Sequence, residues 1–223
     1  MLNGWNVVTR VSLMGSINKI ELATADQLDE MLEVFLSAFK DEATTAVWLD
    51  LASEKLKRTY GILVTIKFKL YLEAGNPIFV AIDNKAILGL IILKLHHVKT
   101  SKIKAMQLII PNLPRLMSLL PHFVKAVRMG MADATRVPEN LLRNHDVLEA
   151  IAVHPDHQGK KIGRKLLDHA HDYLHDISSP GIYLMTGEEK NRQIYERFGY
   201  TLMEERDTKS FKSYHMYRSM NNQ

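Results

Sequence analysis

The residues best suited to chemistry form one short turn. Residues 158–164 read Gln, Gly, Lys, Lys, Ile, Gly and Arg, and an apolar helical pattern begins at Ile162. The main-chain N–H groups at a helix N-terminus have no intrahelical acceptor, and the helix dipole favours an anion there. The two glycines let a ligand approach the backbone closely, while the three cationic side chains add positive charge. The turn therefore predicts a site for a phosphate or pyrophosphate group.

Several other kinds of chemistry are disfavoured by what the sequence lacks. Neither GxxxxGK[ST] nor GxGxxG occurs, which disfavours a nucleoside triphosphatase and a dinucleotide oxidoreductase. No GxSxG occurs, which disfavours an α/β hydrolase. The chain has no cysteine, so thiol nucleophiles, thiolate metal sites and disulfides are excluded.

Composition places the chain among ordinary globular proteins. It has 223 residues, of which 46% are hydrophobic and 24% charged, as expected for one domain or two small ones. The net charge of +4 is small, and the cationic runs at 99–104 and 159–165 are too short to predict nucleic-acid binding. The longest apolar stretch, 86–95, is interrupted and too short to span a bilayer. We expect a cytoplasmic protein with neither a nucleic-acid nor a membrane partner.

Alternating and helical patterns predict the elements that must position the turn. The predicted helices cover 28–39, 53–75, 162–177 and a short segment around 194–198. Between 99 and 143, four prolines interrupt an apolar helical pattern, which predicts a broken helical insertion. Strands are predicted at 17–23, 78–82, 86–95, 146–153, 182–185, 200–204 and 214–217.

Two segments carry a resemblance to a known family. Residues 148–163 read LEAIAVHPDHQGKKIG and resemble the acetyl-CoA signature of the GNAT superfamily of N-acetyltransferases. Val153, Pro155, Gln158 and Gly163 match that signature, whereas Lys161 stands at its middle glycine position. Residues 191–200, NRQIYERFGY, are similar to the NxxxYerxGF segment of the branch that includes puromycin acetyltransferase.

The resemblance implies a fold and a cofactor. We expect a single GNAT-like α/β (α+β) domain over residues 1–223, with a mixed, mostly antiparallel sheet flanked by helices and with the insertion at about 99–143. The fourth strand should separate from the fifth, and the pantetheine arm of acetyl-CoA should lie in the gap, bonded to main-chain groups of the fourth strand. The implied cofactor-binding residues are Ile151, Ala152, Val153, Gln158, Gly159, Lys160, Lys161, Ile162, Gly163, Arg164 and Asn191.

Two residues are candidates for catalysis. The resemblance implies that Tyr195 stands beside the thioester sulfur, as a general acid or as a hydrogen-bond donor to the leaving thiolate; its alternative role is a core aromatic. Glu149 is the candidate general base, directly or through water, because desolvation on its strand would raise its pKa. An outward-facing charge is the alternative for Glu149. His145 and His154 are alternative bases.

The predicted function is transfer of an acetyl group from acetyl-CoA to a primary amine of a small molecule, by direct attack in a ternary complex. The alternative is a non-catalytic CoA-binding module that acts as a sensor or partner protein. No metal is expected, because His171 and His175 are assigned to a solvated helix face. The insertion is expected to pack as core or lid, with a dimer surface or a membrane-surface helix as alternatives, and a homodimer remains open.

Overall fold

A seven-stranded sheet organises the chain. The computed structural model describes residues 19–40, 42–132, 145–207 and 212–220. The strand order is β1-β2-β3-β4-β5-β7-β6. The strands are Lys19–Leu22 (β1), Ile78–Asp83 (β2), Ala86–Lys94 (β3), Asp146–Val153 (β4), Gly181–Thr186 (β5), Thr201–Asp207 (β6) and Lys212–Ser219 (β7).

Eight helices are described, and the longer ones coincide with the predicted helical patterns. The 21-residue helix α3 ends at Gly75, whose φ of 85° is left-handed, as the sequence predicts for a C-terminal glycine. The helices are Leu28–Ala38 (α1), Ala43–Trp48 (α2), Glu54–Ala74 (α3), Lys102–Ile109 (α4), Leu113–Leu116 (α5), Leu120–Ala132 (α6), Ile162–Asp176 (α7) and Glu189–Arg197 (α8).

The sheet is buried on both faces, because β3 and its neighbours present apolar side chains to two helical layers. One core packs Leu90 and Ile92 against α1 and α3, where Phe68 is completely buried. The other core packs Ile91 and Leu93 of the same strand against α7. Alternate residues of an extended strand point to opposite faces, so one apolar run fills both cores.

The pairing of β4 with β5 creates the opening in which a ligand can lie. Every other pair of neighbouring strands in this sheet is antiparallel, but β4 and β5 run parallel and pair only at Asp146↔Ile182 and Val147↔Tyr183. Beyond Val147, β4 keeps its pairing with β3 and has no strand partner on its other side among the described residues. The expected mixed, mostly antiparallel sheet and the separation of the fourth and fifth strands are both present.

The helices α4, α5 and α6 lie within the predicted insertion and pack beside α3. Short 3₁₀ turns at 110–112 and 117–119 join them, and Pro111, Pro114 and Pro121 fall at or near the starts of successive segments. Leu119 is buried in a small cluster that also includes Leu49. The predicted insertion continues through 133–144, which lies outside the described residues. None of the described helices is both long and apolar enough to cross a bilayer.

Candidate active site

The turn that precedes α7 offers a row of unused main-chain donors. Gly159 and Lys161 both have left-handed backbone angles, with φ of 78° and 63°. The N–H of Gln158 donates to the Pro155 carbonyl at 3.2 Å, but the six N–H groups of residues 159–164 donate to no atom of the described chain. Consecutive N–H groups at a helix N-terminus, with the helix dipole behind them, form an anion site.

Lys161 occupies a conformation that favours glycine. Its φ of 63° places it in the left-handed region as the N-cap of α7. A side chain there costs about 1 kcal/mol relative to glycine. The sequence identified this position as the departure from the family signature, and the geometry confirms that the backbone needs a positive φ.

These donors border a cavity of about 710 Å³. This volume is within the usual range for small-molecule and cofactor sites. Ile151 and Val153 of β4 line one side, and residues 37–39 at the C-terminal end of α1 line another. The remaining walls come from the turn and from α8.

Most of the predicted cofactor-binding residues meet in this cavity, and two do not. Ala152 is fully buried in the core on the α1 side of the sheet, and the side chain of Lys160 lies beside His157. Neither residue lines the cavity. Those that line it are Ile151, Val153, Gln158, Gly159, Lys161, Ile162, Gly163, Arg164 and Asn191.

Two contacts on β4 describe how closely a ligand can approach. A Cβ added at Gly163 would lie 3.6 Å from a methyl of Val153, in ordinary van der Waals contact, so a longer side chain here would enter the space between α7 and the strand. The side-chain amide of Gln158 donates to the Val153 carbonyl at 3.2 Å. A carbonyl oxygen accepts two hydrogen bonds, so this one can still accept a second from the pantetheine arm.

Tyr195 lies in α8 and borders both the cavity and the core. Its ring meets Tyr200 edge-on at 5.5 Å between centroids, and it is only 9% exposed. Burial raises the pKa of Tyr195 to about 12, so its hydroxyl remains protonated at neutral pH. That hydroxyl has no hydrogen-bond partner among the described residues, and its proton is available to a ligand.

Glu149 lies at an irregularity of β4. The pairing with β3 passes from Ile92↔Ala150 to Leu93↔Leu148, which leaves Glu149 as the extra residue of a β-bulge. A bulge redirects side chains, and here the carboxylate reaches α3, where it accepts from Lys67 Nζ at 2.6 Å. Glu149 does not line the 710 Å³ cavity.

The predicted direction of the Glu149 pKa shift is wrong. Burial alone would raise the pKa of Glu149, as the sequence suggested, but the Lys67 ammonium and hydrogen bonds from Lys67 and Tyr71 hold it below its usual value. The carboxylate is therefore ionised at neutral pH and is a weaker base than expected. Burial and this carboxylate together raise the pKa of Tyr71.

The two alternative bases lie outside the cavity. His145 is buried, and burial lowers its pKa; its Nδ1 has no partner among the described residues. His154 precedes a 3₁₀ turn, where its Nδ1 accepts the Asp156 N–H at 3.4 Å. Neither histidine lines the cavity.

One histidine prediction is corrected by the packing of the C-terminal strands. His171 was assigned to a solvated helix face, but it is buried, with Nε2 at 2.9 Å from the Tyr200 hydroxyl and Arg218 of β7 at its Nδ1. Burial, together with the Arg218 charge, lowers the pKa of His171 to about 3. The ring is neutral and holds α7 against β7.

The structure brings together three further groups that sequence spacing missed. His96, His97 and Asp146 have ligand atoms within 4.8 Å of one another. His96 Nδ1 and Asp146 Oδ1 lie 2.8 Å apart, and the same oxygen accepts the main-chain N–H of His96. Because these two groups already bind each other, we assign them to joining the end of β3 to the start of β4.

The charged residues at the start of α8 have two different roles. Glu188 is the N-cap of α8, and Glu189 and Lys190 lie in its first turn, where a carboxylate suits the helix dipole. Glu189 fits that role and pairs with Arg192, whereas Glu188 and Lys190 line the cavity. Only the separation of β4 from β5 places them there, so no local sequence signal distinguishes them from ordinary surface charges.

Solved structures with this arrangement identify the fold. An acetyltransferase from Corynebacterium glutamicum, described as histone acetyltransferase HPA2 and related acetyltransferase, is 20% identical, with a TM-score of 0.64 over 90% of this chain and 95% of that chain. The chain has the GNAT acetyltransferase fold. The protein yncA from Salmonella typhimurium, solved with its cofactor acetyl-CoA, is 14% identical, with a TM-score of 0.57 over 92% and 95%.

Two further comparisons bear on the GNAT fold. The PaiA N-acetyltransferase of Thermoplasma acidophilum, in complex with coenzyme A, is 16% identical, with a TM-score of 0.55 over 90% of this chain and 98% of that chain. Residues 122–202 match the family model described as acetyltransferase (GNAT) domain, a segment that contains β4, the turn, α7 and α8. No curated protein matches the chain by sequence. The family-model match over residues 122–202 supports the acyltransferase class, but it does not support the puromycin acetyltransferase branch.

Proposed function

We propose that this protein is an acetyl-CoA-dependent N-acetyltransferase that acetylates a primary amine of a small molecule. One observation carries the proposal. The unpartnered N–H groups of Gly159 and of residues 161–164 belong to residues that line the same cavity as Tyr195, so an anion site and a proton donor can serve one ligand. Acetyl-CoA has the matching parts, a diphosphate at one end of the pantetheine arm and a thioester at the other.

In the proposed complex, the diphosphate accepts hydrogen bonds from the turn, and Lys161 and Arg164 balance its charge. Lys161 and Arg164 both line the cavity. The pantetheine arm lies between β4 and β5, where β4 has a free edge beyond Val147. Main-chain groups of Ile151 and Val153 would then hold the arm as an added strand is held. The solved relatives with acetyl-CoA or coenzyme A support this choice of cofactor.

The proposed reaction is direct attack of a neutral amine on the thioester carbonyl. The new C–N bond forms as the C–S bond breaks, the amine loses one proton, and the departing thiolate gains one. Burial keeps the Tyr195 hydroxyl protonated, so it can donate a hydrogen bond to the departing thiolate, which takes up the proton that the amine releases. A thiol pKa of about 8.5 makes the thiolate a tolerable leaving group, so a positioned hydroxyl suffices.

We propose that Glu149 does not act as a strong base. Because Lys67 holds its pKa low, the carboxylate is negative at neutral pH and attracts a cationic amine. Its side chain is 23% exposed, so water can reach it. We propose that Glu149 orients a water that takes up the proton of the amine, without itself contacting the amine.

The acceptor class remains part of the proposal. The C-terminal end of α1, with Ser37 and Phe39, lines the cavity opposite the turn. A site of this depth suits a small amine, and the similarity of residues 191–200 to the puromycin acetyltransferase branch favours the same class. A protein amine is the rival acceptor, since one structural relative is described as a histone acetyltransferase.

Two measurements test the proposal. Calorimetry with acetyl-CoA measures binding, and a thiol-release assay across amines and lysine peptides measures acceptor-dependent turnover. We expect binding together with release that requires a small amine. Binding without acceptor-dependent release would favour the alternative, a CoA-binding module, and absence of binding would contradict both.

A further inference from the structure

The helical run from α4 to α6 carries large apolar side chains on its outer side. Ile103, Met106, Ile110, Leu113, Met117 and Leu120 are 50–70% exposed, at spacings that alternate between three and four residues. Phe123, Val124 and Val127, which are 42–57% exposed, extend the series into α6. This spacing places apolar residues on one side of a helical run. We call these nine residues the outer apolar face.

Core packing does not account for the outer apolar face, because the run already buries a different side. Leu116 and Leu119 point inward and pack in the cluster that includes Leu56 and Leu63 of α3. Folding therefore uses the inner side, and the outer side remains in water. Contiguous exposed apolar surface on this scale marks an interaction site in soluble proteins.

The outer apolar face is also no lid over the cofactor cavity. None of its nine residues lines the 710 Å³ cavity. The sequence favoured a core or lid role for this insertion. Its inner side packs in the core, whereas its outer side neither packs in the core nor covers the cavity.

The charges along this run are all of one sign. Residues 99–132 contain six Lys and Arg and no Asp or Glu. The formal charge of this segment is therefore larger than the +4 net charge of the whole chain. Lys104 pairs with Glu73 of α3 at 2.8 Å. Lys102, Arg115 and Lys125 are exposed and flank the outer apolar face. An apolar face bordered by cations matches an interface of acyl chains below anionic headgroups.

We propose that the outer apolar face docks on an anionic lipid surface, in place of the expectation from the sequence that the protein has no membrane partner. A second copy of this chain is a poorer partner, because a two-fold contact of this face with itself would bring cations together with no carboxylate in the segment to offset them. An anionic membrane offers an apolar layer for the exposed apolar side chains and negative charge for the cations beside them. The contact is independent of the acetyltransferase activity proposed above.

Vesicle co-sedimentation of the full chain tests the docking surface. We expect binding to phosphatidylcholine vesicles that contain phosphatidylserine, much weaker binding to pure phosphatidylcholine, and loss of binding as salt rises. No binding to either vesicle would overturn the proposal. Equal binding to both would overturn its electrostatic part.

Matched variants locate the contact. Phe123→Asp should weaken vesicle binding about tenfold, whereas Met203→Asp, at a similarly exposed apolar residue of β6, should have little effect. Arg115→Glu should weaken binding about fivefold or more, whereas Arg197→Glu on α8 should not. Circular dichroism verifies that each variant is folded. Equal effects of the test and control variants would contradict the assignment.

Light scattering distinguishes the second-copy alternative. We expect the wild-type chain without vesicles and its Phe123→Asp variant to have the same mass in solution. A wild-type dimer that Phe123→Asp converts to a monomer would overturn the lipid proposal in favour of self-association.

Discussion

Two regions of the molecule concentrate positive charge, and their shapes give them different partners. The turn at 158–164 is a wall of a cavity, and unused N–H groups lie among its cations. The run at 99–132 carries its cations beside exposed apolar side chains that do not line that cavity. Hydrogen-bond donors in a concavity select a compact anion, whereas cations beside apolar surface select an extended interface. Charge alone therefore does not identify a ligand; the groups between the charges do.

The most severe test of this contrast is Gly163→Asp. A carboxylate at this position would enter the space beside Val153 and repel the diphosphate, so we expect acetyl-CoA affinity to fall about a hundredfold. Calorimetry measures the affinity, and vesicle binding should be unchanged. Lys165→Gln changes the net charge by the same −1 two residues later, at a side chain that does not line the cavity, and should have a much smaller effect. Equal losses in both variants would mean that only net charge matters.

Tyr195→Phe should lower kcat by some tens-fold while it changes acetyl-CoA affinity less than about twofold, because only a proton donor is removed. Steady-state kinetics with the best amine measures this change. Tyr200→Phe is the control for a hydroxyl lost from the contacting ring; because it also removes the hydrogen bond to His171, circular dichroism must show that the variant is folded. If kcat is the same in the wild type and in Tyr195→Phe, the tyrosine has only a packing role.

The turn depends on a rigid α7, and His171 should make that helix acid-sensitive. The folded-state pKa of about 3 lies below the unfolded value near 6.5, so stability is complete above pH 6.5 and falls as pH decreases. Between pH 6.5 and 5 we expect a loss of about 2 kcal/mol from this residue. Urea unfolding of the wild type and of His171→Gln measures it. The variant should lose less stability over that interval, and parallel curves would contradict the assignment.

The smallest expected effect distinguishes the backbone strain at Lys161 from the charge of its side chain. Lys161→Gly should raise the free energy of unfolding by about 1 kcal/mol, because the left-handed backbone favours glycine. The same change should weaken acetyl-CoA binding severalfold through the lost cation. Lys160→Gly, at a residue without a positive φ, should not stabilise the fold. Stabilisation by both variants would show that the backbone angle is not the cause.

The sequence predicted the elements well where the signal is local. The hairpin of β2 and β3, the end of α3 at Gly75 and the start of α7 at Ile162 follow from turn residues and hydrophobic period, and the structure confirms them. The turn at 158–164 was predicted in the same way as a phosphate site, and that role remains a prediction. The predicted GNAT-like sheet is confirmed, whereas the extent of one domain over 1–223 remains a prediction.

The errors arise where a distant element decides the outcome. The direction in which the pKa of Glu149 shifts depends on Lys67, which lies 82 positions earlier in the chain. It also depends on a β-bulge that no turn residue predicts. His171 has a polar neighbourhood in sequence, but β7 covers it with Arg218. The roles of Glu188 and Lys190 likewise require the opening between two strands. Such contacts are tertiary, and periodicity carries no information about them.

The central claim concerns the main-chain N–H groups of residues 159–164. A crystal structure of the protein with bound acetyl-CoA tests it most directly. We expect diphosphate oxygens within about 3 Å of several of these nitrogens, with the thioester beside the Tyr195 hydroxyl. A diphosphate bound elsewhere, with these N–H groups still unpaired, would contradict the account.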